Sequence, residues 1–309
     1  MKRTLIGGIG VLASPGLLAL QRGREAGIVL LYHRVSDTPD AAYPPLSPRT
    51  FRRHAEILKA RYDVVPLSEM VERVKTGRSV KGCCAITFDD GYRDFFEHAW
   101  PVIEALALPV THFLVADCVR TGKPVWHLRV LRLAQQTAPS DPTAESRRLF
   151  EQLTPLSADD RYAWLDEAEA GGDEGAPAML NADDLKRVSP KLVEWGSHTL
   201  SHPDLTVLGE AEARRELETS RTTIEAMSGR RVRYLSYPNG GYNPATTALA
   251  AACGYTAAFA VDQRELRAGE NAFALPRIDV SSLPPSMLLP ETTGAVEQLR
   301  RRLRGTDAR

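Results

Sequence analysis

The sequence predicts an α/β protein built on a parallel sheet, either open or closed into a barrel. Short apolar runs alternate with helical segments along most of the chain, and repeated strand–helix units favour parallel strands. The 309 residues are 43% hydrophobic and 25% charged, a composition typical of globular proteins rather than disordered or fibrous ones. A chain of this length can bury one large core or two smaller ones.

The predicted strands are short apolar runs bounded by turn residues, a pattern typical of buried strands. They lie at residues 27–32, 64–65, 83–88, 110–115, 193–196, 233–235, 256–260 and 274–278. In parallel sheets the chemistry is found where strands end and loops begin. We therefore look for functional residues directly after these runs.

Helices are predicted between the strands from their end signals. Ser47 is a candidate N-cap, and Pro48 fits the first turn, where its missing N–H costs nothing. Ser68 is predicted to cap a second helix that stops at Gly77. Further helices are expected at residues 101–106, 209–228 and 243–254.

Three segments depart from this alternation. In residues 1–26 a basic start precedes an apolar stretch shorter than the roughly 20 residues of a spanning helix, so a signal peptide, an anchor and a surface helix all stay open. Residues 119–185 form a helical insertion that either covers the site or is a solvated addition. Residues 286–309 form a basic C-terminal tail.

Charge and cysteine content exclude two classes of protein. The 39 basic and 39 acidic side chains cancel, which argues against a general nucleic-acid binder because no global positive field gathers phosphates. Four cysteines without a CxxC motif are too few for a disulfide scaffold. We expect them to be small buried hydrophobes.

Two adjacent carboxylates end the apolar run at residues 83–88. Asp89 and Asp90 repel each other unless a cation or a shared proton relieves the repulsion. Gly91 permits a tight turn that would face both toward one pocket. A helix N-cap with a spare acid is the alternative.

Two histidines, His198 and His202, follow the strand that ends near Gly196. Four residues apart, they can point the same way if the segment makes one helical turn. Neutral imidazoles suit Zn²⁺, with Zn–N distances of about 2.0–2.1 Å, and an acidic strand end would complete a set that leaves positions open for water and substrate. A purely structural pair is the alternative.

Two further polar clusters follow predicted strands. The turn-rich loop at residues 234–243 carries aromatic side chains. It is either a wall that contacts the sugar or only the connection between a strand and a helix. Farther on, Arg277 and Asp279 alternate with apolar residues, which would aim both into the same space. A buried structural ion pair is the competing interpretation.

The motif Thr87-Phe88-Asp89-Asp90-Gly91, followed by the motif at residues 198–202, resembles the first two motifs of the polysaccharide deacetylases, the NodB-homology enzymes of carbohydrate esterase family 4. The resemblance implies a distorted (β/α)7 barrel and a divalent metal, most often Zn²⁺. It also implies hydrolysis of N-acetyl groups on a polysaccharide.

Carried over residue by residue, the resemblance implies a metal held by Asp90, His198 and His202. It implies Asp89 as the catalytic base. The residues expected to contact substrate are Tyr92, Tyr237, Pro238 and Asn239.

The sequence departs from the family pattern in two places. The segment at residues 235–240 lacks the arginine that usually holds the base, and Arg277 is the nearest substitute. No histidine follows His202, but Leu31-Tyr32-His33 has the form of the family's C-terminal Leu-x-His motif. The resemblance is therefore closer to the circularly permuted branch of poly-β-1,6-N-acetylglucosamine deacetylases. His33 becomes the candidate general acid, with Asp279 as its orienting partner.

These positions run from His33 to Asp279, so residues 27–285 are predicted to form one catalytic domain. The expected reaction is attack of a metal-activated water on the acetamide carbonyl of an acetylated glycan. An O-acetyl esterase, a hydrolase of another C–N bond and a non-catalytic glycan-binding descendant stay open. A glycan substrate favours the cell envelope or periplasm over the cytoplasm, and any membrane association would come through residues 1–26.

Overall fold

Eight parallel strands form one curved sheet in the computed structural model, which describes residues 25–169 and 176–293. The strands are β1 (Ile28–Tyr32), β2 (Asp63–Val64), β3 (Cys83–Phe88), β4 (Val110–Leu114), β5 (Val193–Ser197), β6 (Tyr234–Ser236), β7 (Ala257–Phe259) and β8 (Ile278–Asp279). Their order across the sheet is β7-β6-β5-β4-β3-β1-β8, with β2 paired to β3 outside this path.

Strand β8 and the residues just before it connect the two edges of the sheet. Ile278 pairs with Leu30 of β1, while Leu275, three residues earlier, pairs with Phe259 of β7. The Leu275 N–H donates to the carbonyl of Ala258 at 3.0 Å. The sheet therefore curls into the distorted (β/α) barrel that the sequence predicts, and the first and last strands are neighbours.

Helices surround the sheet, and an additional π-helical turn, Phe95–Ala99, leads into the third of them. They are α1 (Pro48–Arg61), α2 (Leu67–Lys75), α3 (Trp100–Leu106), α4 (Ala116–Thr121), α5 (Trp126–Thr137), α6 (Pro142–Leu153), α7 (Ala158–Ala168), α8 (Ala182–Arg187), α9 (Glu210–Ser228), α10 (Pro244–Ala252) and α11 (Pro285–Thr292). Ser47 caps α1 as predicted, because its side chain accepts a hydrogen bond from the Thr50 N–H.

Two local predictions are wrong. Helix α2 begins one residue before Ser68, because the carbonyl of Pro66 already accepts from the amides of Glu69 and Met70; the Ser68 N–H instead donates to Glu194 Oε2 at 3.2 Å. The strand expected over residues 274–278 shortens to Ile278–Asp279, since a proline at position 276 has no N–H for the ladder.

The insertion at residues 119–185 is helical, as expected, and has a core of its own. Helices α5, α6 and α7 bury a cluster that includes Leu128, Leu149, Leu153 and Leu165. The start of α6 is capped by Asp141, whose carboxylate accepts from the Ala144 N–H at 3.0 Å. This core makes the insertion a packed layer on the barrel.

The predicted terminal segments lie mostly outside the described residues. Of the N-terminal segment only residues 25 and 26 are described, and of the basic tail only residues 286–293, which belong largely to α11. Among the described helices, none combines the length and apolar character needed to cross a membrane. All four cysteines are buried and free.

Gly196 in β5 leaves room for the aromatic ring of Phe113. A Cβ placed on Gly196 would lie 2.3 Å from Cδ1 of Phe113, whose fully buried ring lies 5.4 Å from the Arg277 guanidinium. Gly196→Ala should therefore lower the free energy of unfolding by about 1–3 kcal/mol, the cost of overpacking a core. Urea denaturation measures it.

Gly209→Ser is the matched control for Gly196→Ala. An added Cβ at Gly209 meets open space, and serine suits this N-cap position of α9. The control should leave stability unchanged or slightly higher. Equal stability of Gly196→Ala and the wild type would contradict the packing argument.

Candidate active site

The polar clusters predicted after separate strands meet in one cavity at the carboxyl ends of the strands. The cavity has a volume of about 350 Å³. Of the eleven predicted site residues, nine line it: His33, Asp89, Asp90, Tyr92, His198, His202, Tyr237, Asn239 and Asp279. The other two, Arg277 and Pro238, are buried and do not line it.

Three of these side chains form a compact group of potential metal ligands. Oδ1 of Asp90 lies 3.7 Å from Nε2 of His198 and 3.7 Å from Nε2 of His202. The two imidazole Nε2 atoms are 3.1 Å apart. All three side chains are buried, and one ligand atom from each lies within 4.8 Å of the others.

The histidines are held by a tight turn rather than by the helical turn that the spacing suggested. Thr199 and His202 both have positive φ, at 67° and 63°, and the Thr199 hydroxyl accepts from the His202 N–H at 3.0 Å. Glu216 of α9 accepts from the amides of Leu200 and Ser201 at 2.8 and 2.9 Å. A buried carboxylate from a distant helix thus fixes the turn.

The histidine rings are oriented so that their Nε2 atoms meet. Nδ1 of His198 hydrogen-bonds to the Ser236 carbonyl at 2.8 Å, which leaves Nε2 as the acceptor atom. Burial, with the neighbouring His198 and His127, lowers the pKa of His202 well below its ordinary value. His202 is therefore neutral, the form that binds a metal.

Asp89 is held by a buried arginine from the far end of the chain. Nη1 and Nη2 of Arg277 donate to Oδ1 and Oδ2 of Asp89, each at 2.7 Å. The Ser236 hydroxyl lies 3.1 Å from Oδ2 and 2.6 Å from Nη2 of Arg277. Burial raises the pKa of Asp89, but the Arg277 guanidinium outweighs burial and holds this pKa below its usual range.

The structure decides between the two interpretations of Arg277. Its ion-pair partner is Asp89 and not Asp279, the partner that the alternation suggested; Asp89 is the residue beside which the resemblance expected a substitute arginine. Asp279 lines the cavity and accepts from the Ser281 N–H at 2.9 Å. Arg277 thus occupies the place of an arginine beside the candidate base.

His33 enters the cavity from β1. The pairing of β1 with β3 sets Tyr32 beside Phe88, so His33 and Asp89 follow neighbouring strand ends. Nδ1 of His33 hydrogen-bonds to the Ser281 hydroxyl at 3.0 Å. The expected orienting partner Asp279 therefore acts through Ser281, from whose N–H it accepts, while the Tyr43 ring packs edge-on against His33 with centroids 5.7 Å apart.

Comparison with known proteins gives the family of this chain. The polysaccharide deacetylase family model matches residues 76–258, more than half of the chain. The chain belongs to the polysaccharide deacetylase family. It is 20% identical to the YxkH protein of Bacillus subtilis (strain 168), named after the same family, over 82% of this chain and 71% of YxkH.

Solved structures show the same fold at low identity. The Streptococcus pyogenes deacetylase PplD, in complex with acetate, superposes with a TM-score of 0.62 at 18% identity, covering 86% of this chain and 98% of PplD. IcaB from Ammonifex degensii gives a TM-score of 0.61 at 20% identity, covering 87% and 96%. At these identities the likeness shows that the fold is shared.

The backbone of this family member is unusual where the two aspartates turn into the cavity. Asp90 has a φ of 75°, rare for a residue with a side chain, and Gly91 follows with 94°. Nε2 of His112 lies 3.1 Å from the Asp89 carbonyl and 3.2 Å from the Gly91 amide nitrogen. Burial lowers the pKa of His112 to about 4, so a neutral imidazole supports the turn.

The insertion supplies one wall of the cavity. Val125, His127, Leu128 and Leu131 of α5 and its start line it together with Phe150 of α6. Of the two interpretations of the insertion, the structure favours a cover over the site. The His127 ring lies edge-on to His202, with centroids 4.7 Å apart, and burial lowers its pKa to about 3.

Sequence reasoning missed several residues that build the site, and four of them stand out. His112 and Glu216 support the two ligand turns, while His127 and Tyr43 line the cavity. None belongs to a motif, and each contact joins segments far apart in sequence. A histidine inside the apolar run 110–115 was the one available signal, for His112.

Proposed function

We propose that this chain is a metal-dependent deacetylase that removes N-acetyl groups from an acetylated glycan. The observation that carries the proposal is the Arg277-held carboxylate of Asp89 beside the ligand group of Asp90, His198 and His202. A glycan substrate favours a cell-envelope or periplasmic location, which cell fractionation would test.

The residues present fit a divalent cation, most simply Zn²⁺. Two imidazoles and one carboxylate are its usual protein ligands in catalytic sites, where further positions stay open. Burial raises the pKa of Asp90, and a cation offsets this cost by stabilising the ionised carboxylate. When bound, the cation supplies Lewis-acid chemistry, polarising the substrate carbonyl and lowering the pKa of a water.

Asp89 takes the proton from the attacking water. Arg277 keeps the Asp89 carboxylate ionised and fixes both of its oxygens, so the base has one orientation and one charge state. Its neighbour Asp90 points the ligand oxygen at the histidines. The two adjacent carboxylates thereby have separate roles, Asp89 as the base and Asp90 as a metal ligand, because their environments differ.

His33 donates a proton to the leaving amine, which is a poor leaving group without one. With Nδ1 bonded to the Ser281 hydroxyl, Nε2 is the nitrogen available to the substrate. His33 is half-buried at the cavity wall, so it can exchange protons with solvent between turnovers.

The Tyr92 backbone N–H supports the carbonyl oxygen as it gains negative charge. Tyr92 and Met179 face each other in an antiparallel bridge. Its two hydrogen bonds, both 2.8 Å, run from the Arg93 N–H to the Ala178 carbonyl and from the Leu180 N–H to the Gly91 carbonyl. The bridge leaves the Tyr92 N–H unused. Tyr237 and Asn239 line the same cavity and are proposed to contact the sugar, with Pro238 shaping their turn.

The test of this function is acetate release from defined glycans. N-acetylglucosamine oligomers with β-1,6 and β-1,4 linkages are compared with O-acetylated xylan, each with and without a chelator. Chelator-sensitive release from the amide substrates supports the proposal. Release from xylan alone would identify an O-acetyl esterase, and no release with no metal bound would identify a non-catalytic binding protein.

Removing the metal should also destabilise the fold. Binding to the native state alone stabilises it by about 2.7 kcal/mol when the free metal is at a hundred times its Kd. Zn²⁺ added to chelated protein should therefore raise Tm measurably, and His202→Ala should abolish the rise. His98→Gln, a histidine outside the cavity, should keep it; an equal rise in His202→Ala would contradict the ligand assignment.

A further inference from the structure

The loop after β1 brings an aromatic side chain against the candidate general acid. This loop, residues 34–46, is the β1 loop. Its Tyr43 lines the cavity and packs edge-on against His33, with ring centroids 5.7 Å apart and planes at 72°. The Tyr92 ring lies 6.2 Å from the Tyr43 ring. Tyr43 therefore contacts two residues to which the proposed mechanism gives separate roles.

A buried ion pair holds the backbone of Tyr43 from both sides. Nη1 of Arg34 donates to Oδ2 of Asp40 at 2.7 Å and to the Tyr43 carbonyl at 3.0 Å. Oδ1 of Asp40 accepts from the Tyr43 N–H at 3.2 Å. Both side chains of the pair are 5% exposed, and Pro44 restricts the residue before it to extended backbone. The backbone of Tyr43 is therefore fixed without help from its own ring.

The same ion pair joins the β1 loop to the barrel and to the insertion. Nε of Arg34 donates at 2.9 Å to Oδ2 of Asp94, which lies in the turn after β3. Oδ2 of Asp40 also accepts from Nη1 of Arg132 on α5, at 3.3 Å. The Tyr43 side chain packs against the buried cluster of the insertion. Helix α5 is therefore linked through Asp40 to Tyr43.

The His33 ring needs a second contact to keep one orientation. Within the part of the chain that the structure describes, the Ser281 hydroxyl forms the one hydrogen bond of this ring, at Nδ1. One hydrogen bond lets the ring tilt about the bond, and an aromatic neighbour restricts that tilt. The Tyr43 ring provides this restriction, because edge-on pairs are favourable at centroid distances of about 4.5–7 Å.

We propose that Tyr43 is a positioning residue for the general acid: its ring holds the His33 imidazole at the angle from which it protonates the leaving amine. This inference rests on the proposed function of His33, which gives its proton to the amide nitrogen as the C–N bond breaks. Asp40 ties the position of Tyr43 to the insertion. Burial, with nearby Asp90, raises the pKa of Tyr43 well above its ordinary value, so the phenol is neutral and does not take the proton.

Tyr43→Leu tests the position of the acid through the leaving group. The substitution removes the ring and keeps an apolar side chain. It should lower kcat for an N-acetylglucosamine pentamer about tenfold, with KM within about twofold of the wild type. Hydrolysis of p-nitrophenyl acetate should fall much less, because nitrophenolate leaves without a proton. Tyr43→Phe keeps the ring and should retain most of the amide activity.

Motion of the His33 ring gives a readout that needs no activity. The chain has seven histidines, so selective ¹³C labelling at Cε1 gives few signals, and His33→Gln assigns the one from His33. NMR relaxation should show a lower order parameter for this ring in Tyr43→Leu. Tyr43→Phe should keep the wild-type value.

Asp40→Asn tests the link to the insertion. Asparagine cannot form the ion pairs with Arg34 and Arg132, so the ratio of amide to ester hydrolysis should fall in the same direction as in Tyr43→Leu. Asp37→Asn is the matched control, the same change at an exposed position of the β1 loop, and should leave both activities unchanged. A wild-type ratio in Asp40→Asn would overturn the link.

The remaining outcomes separate the role of Tyr43 from the proposed function. A wild-type ratio of amide to ester hydrolysis in Tyr43→Leu would overturn the positioning role. Equal losses in Tyr43→Phe and Tyr43→Leu would also overturn it, because they would assign the effect to the hydroxyl. Absence of amide hydrolysis in the wild type would instead refute the deacetylase function, and the relaxation of the His33 ring would still decide whether Tyr43 fixes it.

Discussion

Replacing Asp89 with asparagine should lower kcat/KM for acetate release by about 10²–10⁴-fold, the usual contribution of a general base, while the metal stays bound. An amide cannot take the proton of the attacking water. The ligand group of Asp90, His198 and His202 does not include Asp89, so zinc content and the Tm rise on Zn²⁺ addition should match the wild type.

Asp63→Asn is the matched control for Asp89→Asn, because Asp63 is exposed at β2 and far from the cavity. It should keep full activity. Near-full activity of Asp89→Asn would remove Asp89 from the base role. Loss of zinc from Asp89→Asn would instead make Asp89 a ligand and leave the base unassigned.

The sequence allowed prediction of a parallel α/β sheet and of the residues at strand ends, because both depend on local signals. Closure of the sheet into a barrel was implied only by the family resemblance. Apolar runs mark buried strands, and a polar residue directly after one is at the carboxyl edge of the sheet. Asp89, Asp90 and His198 follow this rule. Arg277 was located in another way: alternation aimed it into the same space as Asp279, and the family resemblance named it as the nearest substitute for the arginine that holds the base.

The rest could not be predicted because it depends on contacts between distant segments. Glu216 fixes the His198–His202 turn from the middle of α9, where its sequence neighbours are charged and give no hint of burial. The wall formed by His127 and Phe150 requires the insertion to pack against the barrel. Positive φ at Asp90, Thr199 and His202 depends on this packing, since it is uncommon for any residue with a side chain and most strained for a β-branched one such as Thr199.

Arg277→Met should be among the most destabilising single substitutions in the site, at about 3–5 kcal/mol, because it leaves the buried charge of Asp89 unpaired. Arg277 is fully buried and holds Asp89 through two hydrogen bonds. The double variant Arg277→Met with Asp89→Leu should regain most of this stability, because a buried ion pair can often be replaced by apolar residues at little cost. Urea denaturation at a fixed Zn²⁺ concentration compares the three proteins.

The pH dependence separates this electrostatic role from simple packing. The pKa of Asp89 is lowered in the folded protein, so the pair stabilises the fold above about pH 4, the ordinary aspartate pKa, and this stabilisation is lost as the pH falls through the lowered pKa. In Arg277→Met the burial of Asp89 persists without its guanidinium, so its pKa rises and the acid limb of the kcat/KM profile should move to higher pH. Arg277→Lys keeps the charge but not the paired hydrogen bonds, and its acid limb should lie between those of Arg277→Met and the wild type. An acid limb at the same pH in all three proteins would show that Arg277 supports the barrel without controlling the charge of the base.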